Sequence, residues 1–319
     1  KSSGYIGRNW TEGPGKIWTL EEMVGPDSVF KFQLLKWDGK TSIPLVDDHG
    51  RIFAILVGHP PNDPTWELLN DQAVDLLEKY RGLVTPDDKV SRRGLSRYMS
   101  VGYSFGGGQK IPQPLLHNCK DQRILEDLLS AECFQRLSGH LSSAFATWAP
   151  KLHQVYMDTL SSYEAHDPSF HRNFPGTAFA AATFNFDEQT ETMEHVDYFN
   201  YITGWCGITA LGHFNHTKGA QMILWDLKLV IEFPPVSSML IPSCFLRHSN
   251  TAVPTGETRQ SFTEFSAGGL FRYKDDEMRT RVSMSNEERK QKETEARESA
   301  REAVNIYSTF KELADTVLS

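Results

Sequence analysis

The sequence predicts an α+β protein in which a helical segment precedes an antiparallel β-barrel or sandwich and a long helix closes the chain. Three observations predict it. Residues 174–273 hold several strand-length runs separated by turns, with no helical pattern between them. Residues 121–166 carry helical apolar spacing. Residues 287–318 are rich in Glu, Lys, Arg and Ala and contain no Pro or Gly.

The elements follow in order. At 319 residues and 36.2 kDa the chain has room for two domains or one large one with elaborations. It divides into an N-terminal α/β elaboration (1–97), a core (98–273; helical support 121–166, barrel 174–273) and a C-terminal helix (274–319). Ile43–Val46, the turn Asp47-Asp-His-Gly50 and Arg51–Val57 read as strand–turn–strand, and Trp66–Tyr80 as a helix. Residues 81–120 are rich in Gly and Pro and read as irregular. One helix is expected from about Asp121 to Leu137, and a second over Leu141–Tyr163, broken near Pro150. The barrel candidates are Ala178–Phe186, Cys206–Leu211, Ala220–Trp225, Leu229–Phe233, Ser238–Ile241 and Gln260–Phe265. Ser285-x-x-Glu288 is a capping box, from which one helix is read through to Leu318. Its last turns dock on the body or meet a partner; a monomer is expected.

Composition excludes several classes. Twenty-three Gly and 16 Pro are near average usage, which excludes a collagenous or low-complexity chain. No apolar run is long enough to span a bilayer. Lys1-Ser-Ser-Gly4 is no charged-then-apolar leader and reads as the start of a segment from a longer protein. Cys119, Cys133, Cys206 and Cys244 are scattered, so neither a disulfide framework nor a zinc ribbon is expected, and a reducing compartment is. The net charge of −8 leans against nucleic acid, yet residues 81–123 are +5, with 8 basic and 3 acidic residues. That stretch holds Arg92, Arg93, Arg97 and Lys110.

The chemistry concentrates in the barrel. His195-Val-Asp197 puts an imidazole and a carboxylate on one side of an extended segment, because strand side chains alternate. His248, after a later strand and turn, supplies a second imidazole. Two His and one carboxylate on one face leave three metal positions open, the facial triad of non-haem Fe(II) oxygenases. Arg259 then opens the next strand. It suits the far carboxylate of 2-oxoglutarate, and Ser261 points the same way. Other readings of the same residues are a cupin-like barrel with hydrogen-bonded His, a catalytically dead relative, and a zinc hydrolase.

The motifs Thr209-Ala-Leu-Gly212, Thr217-Lys-Gly219, Leu224-Trp-Asp226, Lys228–Pro235, Leu240-Ile-Pro-Ser243 and His248-Ser-Asn250 resemble the TET/JBP-type dioxygenases of mushroom-forming fungi. Gly102–Lys110, Ser143–Ala146 and Ala149-Pro150 resemble them too, so the likeness spans roughly 98–273. The resemblance implies a double-stranded β-helix (jelly-roll) core, Fe(II), 2-oxoglutarate, dioxygen, a nuclear location and oxidation of methylated bases in DNA. It places the metal ligands on His195, Asp197 and His248 and the 2-oxoglutarate cation on Arg259. Pro235-Val-Ser-Ser238 departs from the Gly-Asp turn common in such folds.

The implied reaction hydroxylates a methyl group while 2-oxoglutarate becomes succinate and carbon dioxide. On 5-methylcytosine it yields hydroxymethyl, formyl and carboxyl forms; on N6-methyladenine it ends in demethylation. A duplex base must be flipped out to reach a buried metal. Candidate phosphate contacts are Arg92, Arg93, Arg97 and Lys110. Tyr103 and Phe105 either fill the vacated stack or anchor an ordinary loop. Tyr198, Asn200 and Asp226 are candidate readers of the base edge. Asn185 either binds the near end of 2-oxoglutarate or is a structural turn residue. The alternatives are a 2-oxoglutarate hydroxylase acting on RNA, protein or a small molecule, and a non-catalytic barrel that binds DNA.

Overall fold

The computed structural model describes residues 15–85, 87–91, 94–106 and 108–318. The described strands before the helical segment are β1 (Gln33–Leu35), β2 (Ile43–Val46), β3 (Ile52–Val57), β4 (Asp87–Ser91), β5 (Gly94–Ser96), β6 (Tyr98–Ser104) and β7 (Gln113–Pro114). Those after it are β8 (Ala181–Asn185), β9 (Cys206–His213), β10 (Met222–Leu224), β11 (Leu229–Ile231), β12 (Ser238–Ile241), β13 (His248–Asn250) and β14 (Thr258–Phe265). The helices are α1 (Leu20–Met23), α2 (Leu68–Arg81), α3 (Cys119–Ser130), α4 (Glu132–Trp148), α5 (Pro150–His166), α6 (Gly268–Asp275), α7 (Asn286–Glu302) and α8 (Phe310–Leu318).

Two sheets face each other. The larger runs β2-β3-β12-β9-β14-β8-β6-β7 and is antiparallel throughout; the smaller runs β1-β11-β10-β13, with β1 parallel to β11. From β8 onward the chain passes back and forth between them. It goes from β8 to a bridge at His195 beside β13, to β9, to β10 and β11, to β12, to β13 and to β14. This winding is a double-stranded β-helix. Strands β1–β3 of the N-terminal segment build into both sheets, β2–β3 beside β12 and β1 beside β11, while β4 and β5 pair with each other.

Alternation decides which face each residue serves. Ile208, Ala210, Met239 and Ile241 turn inward against Met222, Leu224 and Ile231 of the smaller sheet. Leu211, Phe184 and Phe262 turn outward onto α2, α3 and α4 through Leu69, Leu77, Leu128 and Phe134. The larger sheet is therefore buried on both faces, and its central strands are buried along most of their length even where, as in β14, polar residues alternate with apolar ones. Gly207 meets α4 so closely that an added Cβ would lie 2.1 Å from Leu141.

Three expectations need correction. The single helix over 121–137 is two helices, broken at Ala131, which is extended (φ −70°, ψ 128°). Ile124 and Leu128 lie on a different helical stripe from Phe134 and Leu137, and only a break brings both stripes into one core. Residues 81–120 are not wholly irregular, since β6 extends the larger sheet beside β8. Its Gly102 (φ +113°) has room for no side chain, because a Cβ would sit 2.2 Å from the Ala180 carbonyl. The tail is not one helix. A 3-10 turn over Ala303–Ile306 follows α7, and Tyr307 then drops into the core at 3% exposure. Thr309 and Glu312 cap α8 reciprocally. The backbone N–H of Ile52 donates to the Ser308 carbonyl, which seats this bend against β3.

Candidate metal centre

The two His segments meet at a bridge in which each backbone N–H donates to the other residue's carbonyl, at 3.1 and 2.9 Å. Their side chains converge with Asp197 inside the barrel mouth, and the ligand atoms of all three lie within 4.8 Å of one another. Nδ1 of His195 lies 2.7 Å from the Met193 carbonyl, and Nδ1 of His248 lies 2.9 Å from the Leu246 carbonyl. A carbonyl only accepts, so each Nδ1 carries the proton and each Nε2 presents a lone pair. Each Nε2 stands 3.8 Å from an Asp197 oxygen, too far for a hydrogen bond. Two imidazole nitrogens and one carboxylate, held apart and aimed at a shared point, fit a divalent iron-type cation. The Cys244 thiol near Asp197 is pushed up to about 11, first by burial and then by the Asp197 charge, so it stays protonated.

The centre opens into a cavity of about 440 Å³. Arg259 and Ser261 line it from β14. Arg259 is 3% exposed, and its Nη1 donates to the Thr190 carbonyl at 2.9 Å. Ser261 accepts at Oγ from Nδ2 of Asn185 at 2.9 Å. Asn185 is buried beside Ser261, its partner across β8 and β14, and is not among the residues lining the cavity. It orients Ser261.

The expected substrate residues divide. Tyr198 and Asn200 line the cavity; Tyr198 is 61% exposed, and Asn200 donates from Nδ2 to Ser243 Oγ. Asp226 does not join them, because its carboxylate grips Arg247. Tyr103 is not placed to fill a stack: it is buried, and its hydroxyl donates to Asp167 and to the Pro112 carbonyl. Phe105 packs edge-on against Tyr273 with the Arg272 guanidinium over its ring. Arg97 pairs with Asp187 through its backbone N–H (2.7 Å) and Nη1 (3.1 Å). Lys110 is exposed. Arg92 and Arg93 lie outside the described residues.

Sequence reasoning missed several lining residues. Phe199, 54% exposed, stands against Tyr198 with ring centroids 4.4 Å apart. Its signal was available as an aromatic pair directly after a ligand. Tyr98 and Ser100 reach the cavity from β6, and Ser100 Oγ lies 2.7 Å from Thr183 Oγ1. Nothing local marks them, because their place depends on the pairing of β6 with β8.

No protein-family model matches the sequence, and no curated protein matches it. Among solved structures the chain is similar to NgTET1 in complex with 5mC DNA. The two share 13% identity over 76% of this chain and 85% of that one, with a TM-score of 0.52. The shared feature is the double-stranded β-helix. A 2OG-Fe(II) oxygenase-family oxidoreductase from Burkholderia pseudomallei shows 16% identity over 61% of this chain and 76% of that one, with a TM-score of 0.35. A bsmA homolog from Methylobium petroleophilum PM1 shows 11% over 64% and 86%, with a TM-score of 0.31. Among the described residues no helix is long and apolar enough to cross a membrane.

Proposed function

We propose that this protein is an Fe(II)/2-oxoglutarate-dependent dioxygenase that oxidises the methyl group of methylated bases in DNA, as the fungal TET/JBP-type enzymes do. The observation that carries the reading is one cavity lined by His195, Asp197, His248 and the buried Arg259. His195, Asp197 and His248 hold the iron. Arg259 and Ser261 hold the far carboxylate of 2-oxoglutarate, a bidentate, charge-assisted recognition that a buried guanidinium suits. Bound iron supplies the oxidation that turns dioxygen, 2-oxoglutarate and a methyl C–H into a hydroxymethyl group, succinate and carbon dioxide.

Support for a DNA base as substrate comes from the motif resemblance, from the fold shared with NgTET1 and from the mouth. Tyr198 and Phe199 present exposed aromatic surface at the cavity, suited to a planar ring that has left its stack. Asn200 and the Ser100–Thr183 hydroxyl pair offer donors and acceptors to the ring's edge. Lys110, with Arg92 and Arg93, supplies phosphate contacts. On 5-methylcytosine the products are hydroxymethyl, formyl and carboxyl forms; on N6-methyladenine the hydroxymethyl adduct releases formaldehyde. A DNA substrate places the activity in the nucleus.

The test is mass spectrometry of nucleosides after incubation with Fe(II), 2-oxoglutarate and duplexes carrying each methylated base, with succinate measured in parallel. Oxidised bases with matching succinate are expected. Succinate released with RNA, peptide or small-molecule substrates, and none with DNA, would move the substrate elsewhere. A protein that binds no metal would be no dioxygenase.

A further inference from the structure

His195 and His248 meet at an isolated bridge, not within a continuous ladder. The two segments are tied again at Asn250, whose backbone N–H donates to the Thr192 carbonyl at 3.3 Å and whose Oδ1 accepts from the Thr192 N–H at 2.8 Å, and near Ser243, whose carbonyl accepts from the Asp197 N–H at 2.8 Å; side-chain contacts add to these ties. The neighbouring side chains Glu194 and Arg247 project from the opposite face of these segments. Arg247 Nη1 donates to Glu194 Oε1 at 2.7 Å. Arg247 Nε donates to Asp226 Oδ1, and its backbone N–H to Asp226 Oδ2, both at 2.8 Å. The Trp225 N–H donates back to the Arg247 carbonyl at 3.0 Å. One guanidinium thus ties together the segment before His195, the residue before His248 and the turn that follows β10.

We propose that Arg247 is a positioning residue for the metal centre. With Glu194 and Asp226 it forms a clamp that fixes the angle between the two imidazoles and so sets metal affinity. The inference rests on the metal-site reading above. The three side chains are 40%, 24% and 39% exposed, so the clamp adds little to global stability. Its effect is geometric, because the planar guanidinium fork holds both carboxylates in fixed directions. Contacts that orient metal ligands from behind are typically worth about 10–100-fold in affinity.

The experiment titrates the full chain with Co(II) alone, without turnover. It follows ligand-field absorption and records thermal unfolding of the metal-free protein. Arg247→Met should weaken Co(II) binding about 10–100-fold and alter the ligand-field spectrum, while the metal-free Tm moves by only a few degrees. Glu194→Gln should weaken binding less. The double variant should bind no more weakly than Arg247→Met, because the two changes remove one shared contact. Should Arg247→Met fail to fold, Glu194→Gln, which keeps the side chain's shape, decides alone. Binding within about twofold of the original chain for the folded variants would overturn the clamp. So would a weakening matched by an equal loss of metal-free stability. Failure of the unaltered protein to bind Co(II) would instead overturn the metal-site reading, and the clamp with it.

Discussion

Glu264 offers a sharp test of how this barrel is sealed. It lies on β14 with its side chain turned away from the cavity and is 1% exposed. Oε1 accepts from Ser138 Oγ at 2.8 Å and from Thr177 Oγ1 at 2.9 Å. Burial pushes the carboxyl up from 4.5 to about 7, against the downward pull of those two hydroxyls. The fold therefore holds a proton that the unfolded chain releases, and stability falls as pH rises. The contribution is whole below pH 4.5, is lost as pH climbs to about 7, and is flat beyond. At roughly 1.4 kcal/mol per pH unit the full loss is on the order of 3 kcal/mol, most of which falls between pH 5 and pH 8. Glu264→Gln cannot ionise and keeps an acceptor for both hydroxyls. Urea unfolding of both proteins at pH 5 and pH 8 should show the unaltered chain losing roughly 2–3 kcal/mol more than the Gln variant. If the two lose stability in parallel, to within about 0.5 kcal/mol, the carboxyl is not held neutral and the reasoning fails.

Three further outcomes are expected. His195→Ala should abolish Co(II) binding and turnover while leaving metal-free thermal unfolding within a few degrees of the original; retained metal binding would refute the ligand assignment. Arg259→Lys should raise the 2-oxoglutarate KM about 10–100-fold with little change in kcat at saturation, because the bidentate fork and the contact to Thr190 are lost. An unaltered KM in the succinate assay would remove Arg259 from the cosubstrate site. Tyr307→Ala should cost about 3–5 kcal/mol in urea unfolding, because the ring is buried and stacks on Trp205; a loss under about 1 kcal/mol would show that the tail is not part of the core.

The pairing of His195 with Asp197 on one side was legible because its rule is local. Two ligands two residues apart on an extended segment share a side, and Arg259 and Ser261 share one by the same alternation. Strands β3 and β12 were legible for their dense branched and apolar residues. What escaped depends on distant partners. Asp226 resembled an edge reader until Arg247, 21 residues away, claimed its carboxylate. Tyr103 read equally as a stack filler or a loop anchor until Asp167, 64 residues on, fixed its hydroxyl and decided for the anchor. Strand β6 was hidden because its Gly102, which suggests a loop, is required by close approach to Ala180. The break before α8 had a local signal, Thr309 three residues before Glu312, masked by a composition that is helix-forming on both sides.

The cationic stretch changes meaning once the fold pairs its charges. Arg97 is held by Asp187, and Arg81 by Glu188 and Glu78. Lys120 donates to the Leu83 carbonyl. Asp187 and Glu188 belong to the acidic barrel segment, so part of the +5 of residues 81–123 is spent against the −7 of residues 124–273. A charge counted along the chain is therefore not a charge presented on a face. Under the proposed DNA substrate this has a quantitative consequence. Each phosphate that a cation neutralises adds about 0.9 to the slope of log affinity against log salt on duplex DNA. With Arg97 and Arg81 engaged internally, the salt dependence should be shallower than eight basic residues would suggest. More of the recognition then falls to uncharged contacts at the mouth, where Tyr198, Phe199 and the Ser100–Thr183 pair already stand.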